Sequence, residues 1–225
     1  MKIDAYLKDL AYPGRGILLG KSEGKAVIAY FIMGRSENSR NRIFVEDNDG
    51  IRTKAYDESK MKDPSLIIYY PYRKIENKHI ITNGDQTDTV YEYLNAGKSM
   101  TEALRSRTYE PDGPNFTPRI SGLLENNHMI LSILKKDHDG VNRNFFEYDL
   151  QEGIGRLIHT YQINDEPLPS FEGEPRLIEL SGNAQDIAKN IWENLNEENK
   201  VSLLVKTISE TGDIETVIMN KNGGK

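Results

Sequence analysis

The chain has 225 residues, of which 37% are hydrophobic and 28% charged, and it contains no cysteine. This length and composition indicate a globular protein with a full core, and they exclude a disulfide-stapled small fold, a zinc–thiolate site and a thiol nucleophile. The formal net charge is −6, residues 1–150 carry 22 basic and 22 acidic side chains, and the acidic excess lies in 151–225, so no basic surface for a nucleic-acid partner is expected.

The N-terminal half of the chain predicts two pairs of strands followed by helices. Apolar, β-branched or aromatic runs predict strands at 16–20, 25–33, 65–72 and 78–82. The first two are expected to form a hairpin, and the last two a second hairpin around a polar turn at 73–77. From Asp85 onward the apolar residues recur at helical spacing, which predicts one or two helices broken near Gly97.

The C-terminal half predicts a second block of strands and one more helix. Short apolar or alternating runs predict strands at 119–124, 129–134, 143–149, 156–162, 174–180, 201–208 and 214–219. Ile187, Ile191 and Leu195 lie at helical spacing and predict a helix over 183–195. Strand blocks interrupted by two helical regions predict an α+β fold, in which helices cover the outer faces of two packed, largely antiparallel sheets.

The chain shows no change of composition that would mark a domain boundary, so a single domain over residues 1–225 is predicted. Its first residues lack the apolar segment of a signal peptide, and no stretch approaches the roughly 18 apolar residues of a membrane helix. We therefore expect a cytoplasmic protein with no membrane partner. The four histidines, at positions 79, 128, 138 and 159, lack metal-ligand spacing, and no metal site is predicted.

Two arginine-bearing loops are candidates for an anion site. A Pro/Gly turn presents Arg15 directly before the first strand, and a loop at 34–42 follows the second strand. That loop carries, among others, Arg35, Ser36, Asn41 and Arg42. Guanidinium forks combined with neutral donors suit a phosphate group. A structural turn with a solvated arginine, and an exposed basic loop, fit the same residues.

The junction between the strand at 78–82 and the following helix is a third candidate. Asp85 is predicted to be the helix N-cap, with Asp88 as its capping-box partner, and this structural account covers the segment. The functional alternative is that Asn83, beside Gly84, and the first amides of the helix face a ligand.

The fourth candidate is the loop at 108–120, where three prolines between 111 and 118 stiffen the backbone. Glu110 and Asp112 are neighbouring carboxylates, and Asn115 and Arg119 are neighbouring donors. The loop can therefore supply an acid/base pair beside an oxyanion clamp. A rigid structural loop is the alternative.

Taken together and in this order, these segments resemble the archaeal-type inosine monophosphate (IMP) cyclohydrolase family and its bacterial relatives. The resemblance is carried by Gly-Arg at 14–15, Arg-Ser…Asn-Arg at 35–42, Asp-Pro at 63–64, Asn-Gly-x-x-Thr-Asp at 83–88 and Tyr-Glu-x-Asp…Asn-x-Thr-Pro-Arg-Ile at 109–120. Specific motifs cover about the first 125 residues, and beyond them only the pattern of elements agrees. The resemblance implies a four-layer αββα sandwich similar to N-terminal-nucleophile hydrolases, and a homo-oligomer.

The resemblance also implies a reaction: closure of 5-formamidoimidazole-4-carboxamide ribotide (FAICAR) to IMP with loss of water, the last step of de novo purine biosynthesis, without a cofactor or metal. The implied partner is a small purine nucleotide. The implied catalytic residues are Tyr69, or Tyr70 after a one-residue shift, with Glu110 as acid/base and Asp112 as supporting carboxylate. The implied substrate ligands are Arg15, Arg35, Ser36, Asn41, Arg42, Asn83 and Gly84 for phosphate and ribose, and Asn115, Thr117 and Arg119 for the base or transition state.

Two departures from the family pattern leave alternatives open. The loop at 35–42 is longer than the family's Arg-Ser-x-Pro-Asn-Arg form, so either of its terminal arginines fits the phosphate. Met1 is followed by Lys2, so an N-terminal nucleophile is not expected even if the fold is shared. A non-catalytic purine-nucleotide-binding protein and an amidohydrolase acting on another small amide are the competing functions.

Overall fold

The computed structural model describes residues 1–61 and 63–223. Its strands are β1 (Arg15–Ser22), β2 (Lys25–Met33), β3 (Arg42–Asp47), β4 (Gly50–Ala55), β5 (Tyr72–Ile75), β6 (Lys78–Thr82), β7 (Arg119–Glu125), β8 (His128–Asp137), β9 (Gly140–Asp149), β10 (Ile154–His159), β11 (Arg176–Glu179), β12 (Lys200–Ile208) and β13 (Ile214–Asn220). Its α-helices are α1 (Ile3–Lys8), α2 (Glu37–Arg40), α3 (Gln86–Asn95), α4 (Met100–Arg105) and α5 (Ala184–Asn194).

The strands form two sheets. The first has six strands in the order β11-β10-β1-β2-β12-β13, and the second has seven in chain order from β3 to β9. Every pairing between these strands is antiparallel. None of the helices in the described part of the chain is long and apolar enough to cross a membrane.

Three apolar clusters define four layers. The inter-sheet cluster joins residues such as Ile17 and Ile28 of the first sheet to Phe44 and Ile81 of the second. A second cluster packs α1 and α5 on the outer face of the first sheet, and a third packs α3 and α4 on the outer face of the second. The predicted αββα sandwich and α+β class are therefore confirmed, whereas the likeness to N-terminal-nucleophile hydrolases stays a prediction.

Strand β12 shows why the sequence folds in this way. It is buried along its whole length, because Leu203 and Val205 face the α5 layer while Leu204 and Ile208 face the second sheet. A strand covered on both faces becomes a continuous apolar run instead of an alternating one. Helix α5, which covers it, begins where predicted, and Asn183 accepts hydrogen bonds from the backbone N–H groups of Gln185 and Asp186.

The predicted strand at 65–72 is wrong. Ser65 N donates to Asp63 Oδ1, and Ile67 N and Ile68 N donate to Pro64 O, so this apolar stretch turns. The strand of this hairpin is β5, which starts at Tyr72, the last residue of the predicted strand, runs into the predicted turn at 73–77 and pairs with β6. The apolar composition of 65–72 indicated a strand, but the Asp-Pro turn decided the backbone path.

The structure also contains elements that the sequence patterns did not indicate. These are α1, the β3–β4 hairpin and α2, which lies in the predicted loop at 34–42. All are short, and β3 lies at the edge of its sheet, so their periodic signal is weak. The helix break near Gly97 is confirmed, with Gly97 at φ +73° between α3 and α4.

Gly122 of β7 lies in the core between the two sheets, where its neighbours leave no room for a side chain. A Cβ atom at this position would lie 2.8 Å from Ile81 Cγ2 and 3.1 Å from Leu19 Cδ1. We expect Gly122→Ala to lower the free energy of unfolding by about 1–3 kcal/mol, because overpacking a well-packed core forces its neighbours to move.

Urea unfolding measures this effect, and Gly140→Ala is the matched control. A Cβ at position 140 would meet only Asp137 O, at 3.6 Å, so its stability should change by less than about 0.5 kcal/mol. Equal stability of the Gly122→Ala variant and the parent would contradict the close approach of the sheets.

Candidate active site

Several of the predicted site residues lie together at one end of the sandwich. Arg15, Arg42 and Arg119 are the first residues of β1, β3 and β7. Tyr69 precedes β5, and Glu110 lies in the loop before β7. We call Arg15, Arg42, Tyr69 and Glu110 the buried polar cluster, because their charges and phenol influence one another electrostatically.

Glu110 is the carboxylate of this cluster and is only 2% exposed. Its Oε2 lies 4.0 Å from Arg15 Nη2, which is a charge contact instead of a hydrogen bond. Burial raises the pKa of Glu110 to about 7, with Asp112 adding to the shift while Arg15, Arg119 and Arg42 oppose it. A carboxyl group with a pKa near neutrality can both accept and return a proton, which suits general acid/base work.

Arg42 supplies unused donors beside this carboxyl. It is 1% exposed, and its Nε donates to Ser39 O at 2.9 Å. Its Nη1 and Nη2 are buried and have no partner among the described residues, and neither has Arg15 Nε. Unpaired buried donors cost free energy, so these groups fit a ligand that brings oxygen acceptors into the cluster.

The structure separates the two candidate tyrosines. Tyr69 is 5% exposed, and its hydroxyl oxygen lies 2.8 Å from that of Tyr30 on β2. Tyr70 points away from the cluster and donates to Asp47 Oδ2 at 3.0 Å. The backbone N–H of Tyr69 donates to Thr53 Oγ1 of β4, which fixes this orientation. Tyr69 is thus the tyrosine that the fold brings to Glu110 and the arginines.

Asp112 and Thr117 close the proline-rich loop on itself. Asp112 Oδ1 accepts from Thr117 N at 2.6 Å, and its Oδ2 accepts from the Thr117 hydroxyl. The same Thr117 hydroxyl is hydrogen-bonded to the Tyr161 hydroxyl. The backbone N–H of Glu110 donates to Thr117 O at 2.9 Å. These bonds set the position of Glu110.

Asn115 lies further from the cluster. Its Oδ1 accepts from Leu168 N at 3.0 Å and ties this loop to the segment that follows β10. Its side-chain oxygen is therefore used within the protein.

Asn83 is fully buried and holds the start of β7 in place. Its Nδ2 donates to Pro118 O, and its Oδ1 accepts from Ile120 N and Gln86 Nε2, each at 2.9 Å. Because these bonds occupy its amide, Asn83 positions the loop that carries Glu110 and Arg119 instead of presenting free donors to a ligand.

Arg119 is fixed from two sides. Its Nη1 donates to Gln86 Oε1 at 2.6 Å and pairs with Asp85 Oδ1 at 2.7 Å. A Cβ at Gly84 would lie 2.6 Å from Arg119 Nη1 and 2.7 Å from Gln86 Oε1. A side chain at position 84 would therefore push the Arg119 guanidinium and the Gln86 amide out of these positions.

Asp85 stands at the predicted N-cap position before α3, but its side chain has another role. Its side chain makes no capping hydrogen bond, since it pairs with Arg107 and Arg119 instead. These arginines lower the pKa of the Asp85 carboxyl against the effect of burial. Asp88, its expected capping-box partner, pairs with Arg73 at 2.9 Å. Ion pairing with Arg107 and Arg119 thus takes the place of helix capping for the Asp85 side chain.

Three predicted residues of the loop at 34–42 lie outside the cluster. Ser36 caps α2 by accepting from Ser39 N, and the Asn41 amide exchanges two hydrogen bonds with the backbone of Asp57. Arg35 is half-buried, donates to Asn164 Oδ1 at 3.1 Å and has its guanidinium carbon 5.2 Å from the centre of the Tyr12 ring. The hydrogen bonds of Ser36 and Asn41 therefore fix the backbone of this loop, and Arg35 lies on the side of the loop away from the buried polar cluster.

Sequence reasoning missed Tyr30, Gln86 and Tyr161. Tyr30 lies within the apolar run of β2, and its hydroxyl group was the only sequence feature that indicated a polar role in addition to core packing. Gln86 lies inside the Asn-Gly-x-x-Thr-Asp motif at an unspecified position. The contacts of Tyr30 with Tyr69 and of Gln86 with Arg119 arise only from the packing of segments distant in the sequence.

A cavity of about 440 Å³ lies away from the cluster, near the β1–β2, β5–β6 and β12–β13 turns. It is lined by side chains such as Lys21, Lys74, His79 and Glu210 and contains none of the predicted site residues. Within the described residues, no group of three or more His, Asp or Glu side chains is arranged to hold a metal ion.

Comparison with known proteins gives the family. The sequence profile described as IMP cyclohydrolase-like protein matches residues 12–212. The chain belongs to the IMP cyclohydrolase-like protein family. This confirms the resemblance stated above and extends it well beyond residue 125.

Individual relatives agree with the profile. The chain is 27% identical over 207 residues to the IMP cyclohydrolase of Methanocaldococcus jannaschii, which covers 89% of this chain and 96% of that protein. It is 26% identical over 210 residues to the IMP cyclohydrolase of Methanococcus aeolicus, covering 91% and 98%. The IMP cyclohydrolase of Methanopyrus kandleri is 36% identical over 121 residues, covering 49% and 57%.

The raised pKa of Glu110 predicts how stability depends on pH. The pKa is about 7 in the folded state against an ordinary value of 4.5, so folding favours the neutral acid. The stabilisation is complete below about pH 4.5 and is lost as the pH rises through about 7. Relative to Glu110→Gln, the parent protein should lose about 3 kcal/mol of unfolding free energy across this range.

Urea unfolding of both proteins at intervals from pH 5 to pH 8 tests this. The exposed Glu215→Gln is the control and should follow the parent at every pH. Parallel pH profiles of the parent and Glu110→Gln would show that the Glu110 carboxyl titrates normally.

Proposed function

We propose that the chain is an IMP cyclohydrolase that closes FAICAR to IMP and water. The observation that carries the proposal is a buried carboxyl with a pKa of about 7, Glu110, set beside Tyr69 and two arginines with unpaired donors. Membership of the IMP cyclohydrolase-like family and the names of the relatives support it.

The reaction needs positioning and proton transfer only. The carboxamide nitrogen attacks the formyl carbon, so one C–N bond forms and the C–O bond of the former formyl group breaks. The carboxamide and formamido nitrogens each give up one proton, and both protons leave with that oxygen as water. Because the reacting groups lie on adjacent ring carbons, the substrate itself supplies much of their proximity.

The buried polar cluster provides the groups that this reaction requires. The Glu110 carboxylate accepts the proton of the attacking nitrogen and returns a proton to the departing oxygen. Tyr69 donates a hydrogen bond to that oxygen as negative charge develops on it. The unpaired Nη groups of Arg42 act in the same way, and such donors are most effective in a buried site.

The remaining predicted residues divide into ligands and supports. We place Arg35 at the 5′-phosphate, because it lies on the outer side of the site, and Arg15 and Arg42 at the reacting end. Arg119 contacts the base, held by Gln86 and Asp85. Asn83, Asp112 and Thr117 position these groups through the bonds described above. A homo-oligomeric state, a cytoplasmic location and a single domain stay predictions.

Turnover of FAICAR by the purified protein, followed by purine absorbance, tests the function. We expect kcat/KM to rise with pH through about 7 as Glu110 loses its proton. Glu110→Gln should lower kcat by about a hundredfold or more, since a general base contributes about 10²–10⁴. Glu215→Gln is the control and should keep the parent rate.

The outcome also separates the competing functions. Calorimetric binding of IMP by a protein that does not turn over FAICAR would identify a non-catalytic nucleotide-binding protein. Hydrolysis of another amide that survives both Glu110→Gln and Tyr69→Phe would identify a different nucleophile. Either result would overturn the proposed reaction.

The outer position of Arg35 predicts a different kinetic effect. Arg35→Ala should raise KM for FAICAR about tenfold and leave kcat within about twofold, because a phosphate anchor binds substrate and transition state alike. The exposed Arg105→Ala controls for loss of one positive charge and should leave KM unchanged. A collapse of kcat at unchanged KM would instead place Arg35 at the reacting groups.

A further inference from the structure

Tyr30 carries a buried hydroxyl on the inner face of the first sheet. It is fully buried in the inter-sheet cluster, where Ile28 and Ile32 share its face of β2 and the Phe44 ring centre lies 5.7 Å away. A tyrosine hydroxyl in such surroundings needs a polar partner. Among the described residues that partner is Tyr69, whose hydroxyl oxygen is 2.8 Å from that of Tyr30.

The charges around the pair decide which hydroxyl donates. Arg15 and Arg42 act electrostatically on both phenols, and guanidinium groups offer donors but no acceptor. Tyr69 Oη is therefore the acceptor available to the Tyr30 proton. The opposite direction would leave the Tyr30 proton unpaired among apolar side chains, at a cost in free energy.

We infer that Tyr30 is a positioning residue that donates to Tyr69 Oη and thereby directs the Tyr69 proton toward the formyl oxygen of the substrate. This inference rests on the proposed cyclohydrolase function. A phenol proton has two in-plane orientations about the C–O bond. With Tyr30 on one side of the Tyr69 oxygen, the Tyr69 proton is held on the other side, toward the rest of the buried polar cluster.

The bond also prepares Tyr69 to meet negative charge. Burial raises the pKa of Tyr69, while Arg42, Arg15 and the hydrogen bond from Tyr30 act in the opposite direction. A donor that is oriented before the reaction needs no reorganisation when charge develops on the substrate. Loss of the Tyr30 hydroxyl should therefore affect the chemical step more than substrate binding.

Tyr30→Phe tests the inference because it keeps the ring and removes only the hydroxyl. We expect kcat for FAICAR closure to fall about tenfold or more, with KM changed by less than about twofold, because the lost effect appears mainly in the transition state. Tyr72→Phe is the matched control. Tyr72 is buried in the same inter-sheet cluster, but its hydroxyl pairs with His79 Nδ1, at 2.8 Å, so its loss should leave kcat unchanged.

A second measurement does not depend on activity. With 3-fluorotyrosine at position 69, the ¹⁹F resonance follows ionisation of that phenol alone. Tyr30→Phe should raise its titration midpoint by about half a pH unit or more, since a donor to the phenolate oxygen is lost. Tyr72→Phe should leave the midpoint in place.

The two measurements distinguish failure of the inference from failure of the function. An unmoved ¹⁹F midpoint, an unchanged kcat, or a loss confined to KM in Tyr30→Phe would overturn the role of Tyr30. A parent protein that does not close FAICAR, but shows the shifted midpoint, would retain the hydrogen-bond direction and refute the cyclohydrolase proposal.

Discussion

The structure depends on the burial of charge at one end of the sandwich. Glu110 and Arg42 are almost completely buried, and Arg15 lies beside them. Burying charged groups is expensive unless they are paired or hydrogen-bonded. Here the Glu110 carboxyl lies 4.0 Å from Arg15 Nη2, too far for a hydrogen bond. Burial raises its pKa to about 7, and donors of Arg15 and Arg42 have no partner among the described residues. Such an arrangement is stable only if the surrounding residues hold these charged groups in fixed positions.

Many of the polar contacts near the site serve to hold the charged groups in place. Asn83 binds three partners, Gln86 bridges it to Arg119, and Asp85 gives up its capping role to balance two arginines. Asp112 and Thr117 lock the loop that carries Glu110. These groups are oriented by bonds within the protein, whereas Arg42 Nη1, Arg42 Nη2 and Arg15 Nε have no partner among the described residues. Such preorganisation suits the proposed ring closure.

The antiparallel topology explains why the site lies at this end. Successive strands run in opposite directions, so the first residues of β1, β3 and β7 and the last residues of β2 and β6 meet at one edge of the two sheets. Tyr30 lies on β2 of the first sheet and Tyr69 in the segment before β5 of the second sheet, and their hydroxyl groups meet across the core. The inter-sheet core is therefore continuous with the site, and packing in one region sets hydrogen-bond geometry in the other.

The sequence by itself determined the elements with strong local periodicity. The runs of β2 and β12 and the helix α5 were predicted because the spacing of apolar residues is a local property. The candidate roles of Glu110 and the arginines followed from the composition of their loops, whereas the family resemblance implied Tyr69 or Tyr70. Tertiary structure decided what depends on distant partners. Thr53 on β4 sets whether Tyr69 or its neighbour Tyr70 enters the site, and the arginines turn Asp85 away from its helix. It also separates Arg35 from Arg42 and joins Tyr30 to Tyr69, because burial and hydrogen bonding between separate strands leave no pattern in the local sequence.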